Sequence, residues 1–267
     1  MINIKELSII LKQKGYSEEL AEATLCQDII LELLSKSRFK QSITIKGGVV
    51  MRNVSHSNRR ATLDLDFDLI RYPLSDDFVD QMIKELNNLE GIKIKRIGKI
   101  EELRHQDYKG KRVNVEIEDV FHNRLLSKID IGVHKYLTID QTNYCFDLTT
   151  SSDGVLLLIN SFEQMFTEKL KSLLRFGALS TRYKDIYDLC FLIDYLDIDK
   201  LLICFATLIF TDDKIKEKDV NDVLHRLIAI FDNQNYLNNL ISSNKNWLGL
   251  DDYIVLDKIV SFFEKLL

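Results

Sequence analysis

The sequence predicts an α+β protein, with a mixed sheet and flanking helices over residues 1–160 and a helical domain over residues 161–267. Three observations lead to this fold class. Segments that alternate apolar and polar residues, as half-buried strands do, are concentrated between residues 42 and 159. From Ser161 onward the apolar residues recur at helical spacing instead. Finally, the chain holds only 10 glycines and 1 proline among its 267 residues, so helix breakers are scarce.

The elements of the first domain follow from their periodicity and from the residues that flank them. Ser17 and Ser75 are predicted helix caps, because a serine side chain accepts a hydrogen bond from the first helical turn. Gly91 is the predicted stop of the helix that Ser75 begins. The predicted helices are 17–36, 49–54 and 75–91. The predicted strands are 42–45, 63–70, 92–97, 111–118, 125–134, 144–148 and 155–159.

The second domain shows apolar stripes of helical period with almost no strand-like alternation. The predicted helices are 161–176, 184–196, 198–210, 220–231 and 256–267. The change of pattern near residue 160 is the predicted domain boundary.

Composition narrows the classes of function. The net charge of −5 excludes a global basic field, so any nucleic-acid contact would need a local basic patch. The cysteines lack metal-ligand spacing and are predicted to be buried free thiols, as in a reducing cytoplasm. They are Cys26, Cys145, Cys190 and Cys204. No signal peptide is recognised at the N-terminus, and no apolar run approaches the ~20 residues of a membrane span. We therefore expect a cytoplasmic protein.

Residues 61–70, ATLDLDFDLI, place three aspartates at alternate positions of one predicted strand. Aspartate is a poor strand former, and like charges two residues apart repel one another. A Mg²⁺ ion bound by Asp64 and Asp66 would relieve that repulsion, since hard cations prefer oxygen ligands. A solvated outer face of the strand would explain the same alternation.

Two further segments give these carboxylates a context. Gly47 and Gly48 lie between a strand and a helix start, where backbone N–H groups can approach a phosphate. Asp130, in the alternating segment SKIDIGVH, would complete a trio of carboxylates if its strand neighboured the first. Glu116 in VNVEIE is an alternative third carboxylate.

The helical domain carries charged residues at defined spacings. Lys171 and Arg175 are four residues apart and share a helix face, whereas Lys169 points elsewhere. At most one of the two lysines therefore faces a cleft. In STRYKDIYDL, Asp185 could stabilise the helix N-terminus or orient Arg182.

A local basic stripe could contact a phosphate backbone, with Tyr108 stacking on a base. Its members are Lys93, Lys95, Arg96, Lys99, Lys109, Lys111 and Arg112. An edge strand protected by lysines would explain the same residues.

The segment KGGVVMRN followed by a loop and ATLDLDF resembles the first motif of the nucleotidyltransferase superfamily, which has a polymerase β-like fold. It is specifically similar to the AbiEii-type nucleotidyltransferase toxins. Residues 166–192, FTEKLKSLLRFGALSTRYKDIYDLCFL, are similar to that family's two C-terminal motifs. The resemblance spans roughly residues 40–195. Unlike most of the superfamily, this chain has Gly-Gly rather than Gly-Ser, and it has the extra Asp68, which we expect at the surface or just behind the metal ligands.

The resemblance implies roles for matching residues. The metal ligands for Mg²⁺ or Mn²⁺ would be Asp64, Asp66 and Asp130. These three, with Lys169 and Asp185, would be the catalytic residues. The nucleotide-binding residues would be Lys46, Gly47, Gly48, Lys169 and Arg182.

The function that the resemblance implies is a metal-dependent transfer of NMP from an NTP to an acceptor hydroxyl, with tRNA as one acceptor. The protein would be the toxin of a bacterial toxin–antitoxin or phage-defence pair, with a cognate antitoxin as partner. Three alternatives stay open. They are a catalytically silent binding module of the same fold, a small-molecule nucleotidylating enzyme and a metal-dependent phosphohydrolase.

Overall fold

The computed structural model describes residues 2–103 and 110–267, which divide into two compact units, Met1–Asn160 and Ser161–Leu267. The predicted α+β class is confirmed, because the first unit holds a mixed sheet with helices and the described second unit is helical. Tyr108 and Lys109 of the predicted basic stripe lie outside the described residues.

The first unit is built on a mixed sheet of seven strands within its described residues. The strands are β1 (Ile43–Lys46), β2 (Leu65–Ile70), β3 (Ile92–Leu103), β4 (Gly110–Asp119), β5 (Arg124–His134), β6 (Gln141–Leu148) and β7 (Ser151–Asn160). Their order across the sheet is β3-β4-β5-β2-β1-β7-β6. The pairs β2–β5 and β1–β7 are parallel and the other neighbours are antiparallel. Strand β2, which holds Asp66 and Asp68 and directly follows Asp64, therefore lies at the centre of the sheet, where both of its edges are paired.

Four helices accompany the described part of this sheet: α1 (Ile4–Gln13), α2 (Glu18–Ser35), α3 (Gly47–Ser55) and α4 (Asp76–Glu85). The predicted caps are confirmed, since the side chains of Ser17 and Ser75 each accept a hydrogen bond from a first-turn N–H. The predicted stop of α4 at Gly91 is wrong, because the helix ends at Glu85. The side chain of Asn87 accepts a hydrogen bond from the N–H of Ile94 and donates one to the carbonyl of Ile94, at 3.0 Å each. These hydrogen bonds fix the chain at the start of β3, so the helix does not continue.

Helix α2 is buried along most of its length against β5 and β7. Its Gln27 side chain donates to the backbone carbonyls of Thr62 (2.9 Å) and Asp64 (3.3 Å). These hydrogen bonds fix the segment that enters β2, because a buried amide is costly unless its donors are satisfied.

The second unit packs six helices around an aromatic core that includes Phe166, Phe205 and Phe263. The helices are α5 (Phe162–Phe176), α6 (Tyr183–Leu192), α7 (Ile198–Phe205), α8 (Val220–Phe231), α9 (Gln234–Ser242) and α10 (Asp252–Glu264). Helix α9 was not predicted, because asparagines and serine hide its short apolar stripe. That stripe of Tyr236, Leu237 and Leu240 is buried, and Asn233 caps the helix.

The prediction of buried cysteines holds for Cys26, Cys190 and Cys204 and is wrong for Cys145. Cys145 lies on the edge strand β6, whose outward positions are exposed. Burial raises the pKa of the Cys26 and Cys204 thiols to about 12, which suits inert core residues. Among the described residues, no helix is both long and apolar enough to cross a bilayer.

Candidate active site

A row of five charged residues crosses the sheet of the first unit. The row is Glu101 in β3, Arg112 in β4, Asp130 in β5, Asp66 in β2 and Lys46 in β1. Residues directly opposite one another on neighbouring strands project from the same face. The two acids at the centre of the row therefore lie side by side, with one cation beyond each of them.

Asp66 occupies the most strained electrostatic position of this row. The pKa of its carboxyl is raised to about 6, chiefly by burial among protein atoms; Lys46 opposes this rise, and Asp130, Asp64 and Asp68 add to it. Negative charge is therefore in excess around Asp66. The repulsion expected from the sequence is present, and a divalent cation would relieve it.

Asp68 is buried, so its expected surface position is wrong, although it does lie directly behind Asp66 on the same strand. Its Oδ1 atom lies 2.7 Å from Nζ of Lys46, the residue that was predicted to bind nucleotide. Asp64 precedes β2 and is partly exposed. Of the three aspartates, Asp64 and Asp66 are thus the two with access to a ligand.

Asp130 rather than Glu116 lies opposite Asp66, which separates the two candidates for a third carboxylate by position. Both oxygens of Asp130 accept hydrogen bonds from Arg112, at 2.7 and 2.8 Å. Glu116 lies four residues from Arg112 along β4, about 13 Å away at the usual strand rise. It is paired with Lys95 at 2.6 Å instead.

The carboxylates offer the donor chemistry of a metal site without a finished ligand arrangement. Among the described residues, no three His, Cys, Asp or Glu side chains are already arranged to hold one. The chemistry of the donors nevertheless suits Mg²⁺ or Mn²⁺, because Asp64, Asp66 and Asp130 supply hard oxygen atoms where negative charge is in excess. Arg112 would compete with a metal ion for Asp130, since both oxygens of Asp130 already accept hydrogen bonds from it.

The glycine pair joins this acidic cluster to the start of α3. Gly47 has a φ of +70°, and a Cβ atom there would lie 2.7 Å from Oδ2 of Asp66. A Cβ atom on Gly48 would lie 2.7 Å from Cβ of Thr62. The helix has no side-chain cap, so its first-turn N–H groups begin beside the Asp66 carboxylate without a side-chain acceptor. This is an arrangement that can receive a phosphate.

A cleft of about 680 Å³ opens beside the acidic cluster within the first unit. Its walls include Asp64, Arg112, Asn114 and Lys128 from the sheet region and Glu19 and Glu22 from α2. Its size is that of a small-molecule or single-nucleotide site. Sequence reasoning missed it, since only the pairing of β4 with β5 brings Arg112 and Lys128 to one face.

The predicted residues of the helical unit also form a cluster. Nζ of Lys169 lies 2.7 Å from Oδ1 of Asp185 and 2.7 Å from Oδ2 of Asp188. Arg182 donates from Nε to the second oxygen of Asp185 at 2.7 Å, and Trp247 donates to Asp188 at 3.0 Å. Lys169 is buried, whereas the side chain of Arg182 is 65% exposed. Arg182 is thus the cation of this cluster that solvent can reach.

Lys169 and Lys171 take different partners, as their helical positions predicted. Lys171 lies 2.5 Å from a carboxylate oxygen of Asp212, and Arg175 lies 3.9 Å from the same atom. This second group stabilises the α5 face that does not carry Lys169.

The fold is that of a nucleotidyltransferase-like protein. The crystal structure of an antigenic nucleotidyltransferase-like protein from Paracoccidioides brasiliensis is similar, with a TM-score of 0.50 and 13% sequence identity. The likeness covers 83% of this chain and 92% of that chain. At this identity it shows the fold alone.

The family follows from the sequence. The model of the nucleotidyl transferase AbiEii toxin family, of type IV toxin–antitoxin systems, matches residues 29–242. Because this match spans most of the chain, the protein belongs to the AbiEii nucleotidyltransferase toxin family, and the membership predicted from its motifs is confirmed. No curated protein matches the sequence.

Proposed function

We propose that this toxin is a Mg²⁺-dependent nucleotidyltransferase that moves NMP from an NTP to an acceptor hydroxyl. The observation that supports this most strongly is the side-by-side pair Asp66 and Asp130, with Asp64 two residues before Asp66 and Gly47 against the Asp66 carboxylate. In this reaction the acceptor oxygen attacks the α-phosphorus, the bond to the β-phosphate breaks and pyrophosphate leaves.

Each candidate site residue of the first unit has a proposed role. Asp64, Asp66 and Asp130 hold the divalent cation, which when bound supplies Lewis-acid stabilisation of charge on phosphoryl oxygens. The first-turn N–H groups of α3, opened by Gly47 and Gly48, bind nucleotide phosphate. Lys46 adds positive charge at the start of this helix while it neutralises Asp68.

In the helical unit, the contacts favour a division of labour. Lys169 is buried between two carboxylates, so we propose that it fixes Asp185 and Asp188 in place. Asp185 then orients the exposed Arg182, which is the cation available to an anionic group. This revises the expectation that Lys169 itself contacts the triphosphate.

The acceptor and partner are proposed from chemistry and family. Arg112 and Lys128 give the cleft two cations that can bind a phosphate group, although Glu19 and Glu22 share its walls. We propose tRNA as the first acceptor to examine. Membership of a type IV toxin family suggests a cognate antitoxin. We propose that the pair acts in the bacterial cytoplasm.

The proposal is tested by incubating the protein with each α-³²P-labelled NTP, Mg²⁺ and total bacterial RNA. We expect wild type to label RNA and Asp66→Asn to leave it unlabelled, because the variant loses a metal ligand. Asp147→Asn, which removes an exposed carboxylate from β6 of the same sheet, is the matched control and should retain full transfer.

Other outcomes assign the alternatives. Label that moves onto a small molecule in a cell extract, but not onto RNA, would support the small-molecule nucleotidylating enzyme. Wild type that neither transfers label nor binds NTP with Mg²⁺ would overturn the proposal and favour a silent binding module.

A further inference from the structure

Arg112 occupies both oxygens of the carboxylate that faces Asp66. We propose that Arg112 is a positioning residue that closes Asp130 to the metal ion and opens it when an anionic acceptor group draws the guanidinium into the cleft. This inference rests on the proposed function and concerns the regulation of the same site.

Arg112 occupies both oxygens of Asp130 with hydrogen bonds. A bidentate pair between a guanidinium and a carboxylate is among the strong hydrogen-bonded contacts in proteins. Here Nε and one terminal nitrogen of Arg112 donate to separate oxygens of Asp130, at 2.7 and 2.8 Å. The hydrogen bond to Asp130 also raises the pKa of the Arg112 guanidinium, so Arg112 stays charged at any physiological pH. A cation that approaches Asp130 therefore competes with Arg112 for the same two oxygens.

A ligand in the cleft can reach Arg112 more easily than Asp130. The Arg112 side chain is 33% exposed and lines the cleft, whereas the Asp130 side chain behind it is 11% exposed. Lys128 lines the same cleft two residues before Asp130. The walls also carry Asp64, Glu19 and Glu22, so the attraction for an anion is local to the two cations. An anionic group that reaches these cations can compete with Asp130 for the guanidinium.

Arg112 has a second acidic neighbour within the row of charged residues that crosses the sheet. Glu101 lies directly opposite it on β3, on the side away from Asp130, and its charge acts on Arg112. A guanidinium that leaves Asp130 therefore keeps a carboxylate neighbour. Arg112 lies between two acids, Asp130 and Glu101. It can pair with either of them, and the two arrangements have a similar charge balance.

These contacts set cation binding in competition with the Arg112–Asp130 pair. If the Arg112–Asp130 pair lowers the affinity of the site for the cation, then a bound cation weakens that pair by the same free energy, because linkage is reciprocal. A substrate anion that binds Arg112 would consequently favour metal binding. The site would assemble its third ligand only when an acceptor is present.

The test is Mn²⁺ binding to the metal-free protein without nucleotide, measured by the electron paramagnetic resonance signal of free Mn²⁺. We expect Arg112→Gln to bind Mn²⁺ at least about tenfold more tightly than wild type, and Arg112→Lys to lie between them, since lysine keeps the charge but not the bidentate grip. Lys128→Gln is the matched control, because it removes a cation from the same cleft without freeing Asp130. It should change the affinity much less.

The double variant Arg112→Gln/Asp130→Asn shows whether the effect runs through Asp130. Its Mn²⁺ affinity should equal that of Asp130→Asn alone. Thermal melting gives a second readout, in which Mn²⁺ should raise the melting temperature of Arg112→Gln more than that of wild type.

Three results would overturn the inference: equal affinities for wild type and Arg112→Gln, an equal gain for Lys128→Gln, or no Mn²⁺ binding by any variant. Nucleotide transfer by wild type is measured separately. A wild type that transfers NMP while Arg112→Gln leaves Mn²⁺ affinity unchanged would refute the role of Arg112 and leave the proposed function standing.

Discussion

At the scale of single residues, Asp66 has more negative than positive neighbours. Burial among protein atoms raises its pKa most, three other aspartates add to the rise, and Lys46 acts to lower it. A catalytic carboxylate that awaits a metal is expected to lie in such an unbalanced field. The cost of this field in the metal-free protein can be measured.

We predict that Asp66→Asn stabilises the metal-free protein at pH 7.5 by up to about 3 kcal/mol, the value of a pKa raised by about two units. A pKa near 6 in the folded protein, against an ordinary ~3.9, means that the wild type loses stability as the pH rises from about 4 to 6. The gain should therefore shrink as the pH is lowered toward 4. Urea denaturation over this pH range measures it, with Asp147→Asn as the control.

No gain in stability at pH 7.5 would show that the charge around Asp66 is already balanced in the absence of metal. That result would remove the electrostatic reason for placing a cation there.

Lys169 and Arg182 contact the same carboxylate but differ in burial. We predict that Lys169→Met lowers the free energy of unfolding by about 3–5 kcal/mol, because it leaves Asp185 and the fully buried Asp188 without a cation that both contact. Arg182→Gln should change it by less than about 1 kcal/mol, since an exposed ion pair contributes little. Chemical denaturation of the two variants beside wild type decides this.

Transfer activity separates the two roles. Arg182→Gln should fold normally and still lose activity. Normal stability in Lys169→Met, or full activity in Arg182→Gln, would contradict the division of labour between them.

The alternation of Asp64, Asp66 and Asp68 was enough to predict a cluster of carboxylates. It could not show that Arg112 holds Asp130, because that pair depends on β4 lying next to β5. Nor could it show that Lys46 neutralises Asp68, since the contact forms across two antiparallel strands. Contacts distant in sequence are set by strand order, which local periodicity does not report.

At the scale of elements, the junction of β1 with α3 depends on glycine for two reasons. We predict that Gly47→Ala is destabilising by more than about 2 kcal/mol, because a methyl group would both strain a left-handed backbone and meet the Asp66 carboxylate. Gly98 is the matched control, with a φ of +69° and nothing within 4 Å of an added Cβ. Gly98→Ala should cost only about 1 kcal/mol of backbone strain.

Thermal melting of both glycine variants measures this difference. Equal costs would mean that Asp66 yields easily, and that the close approach of α3 to the carboxylate has no energetic consequence.

The β4–β5 turn is tied to the start of α1 by Asp119. Its carboxylate accepts hydrogen bonds at 2.9 Å from the backbone N–H groups of Ile4, Phe121 and Asn123. Burial alone would raise the pKa of Asp119, but these bonds and the Asn123 amide outweigh it and lower the pKa. The carboxylate therefore stabilises the fold above its ordinary pKa, and this contribution is lost as the pH falls through the lowered one.

We predict that Asp119→Asn lowers the free energy of unfolding at pH 7 by about 1–3 kcal/mol, since the amide can satisfy only part of these donors. The difference from wild type should narrow as the pH falls below about 4, because the unfolded wild type takes up a proton at the ordinary pKa and the folded carboxyl follows at its lowered pKa. Denaturation at pH 7 and pH 3 measures this. A constant difference across this range would contradict the assignment of the effect to the carboxylate charge.

Most elements were predictable from periodicity and caps, and two of the misses share one cause. Asn87 ended α4 early through side-chain bonds to β3, and the asparagines of α9 disguised a real helix. Asparagine side chains compete with or replace backbone hydrogen bonds according to their tertiary surroundings. A local reading of the sequence does not contain those surroundings.

At the scale of the whole molecule, the mixed sheet brings together residues that are far apart in the chain. The parallel pairing of β2 with β5 sets Asp66 beside Asp130, 64 positions later, and the antiparallel pairing with β1 sets it beside Lys46. Fold class was predictable from composition and periodicity, whereas the order of the strands was not. The family motifs supplied the expectation that these strands meet.

The central claim is that the protein transfers the α-phosphoryl group of an NTP rather than hydrolysing the nucleotide. The most direct measurement follows α- and γ-labelled NTP in parallel reactions with Mg²⁺ and RNA. We predict that one pyrophosphate is released for each NMP attached to the acceptor, and that both products disappear in Asp66→Asn. Release of the γ-phosphate as orthophosphate, with no label on any acceptor, would contradict the account and identify a phosphohydrolase that uses the same carboxylates.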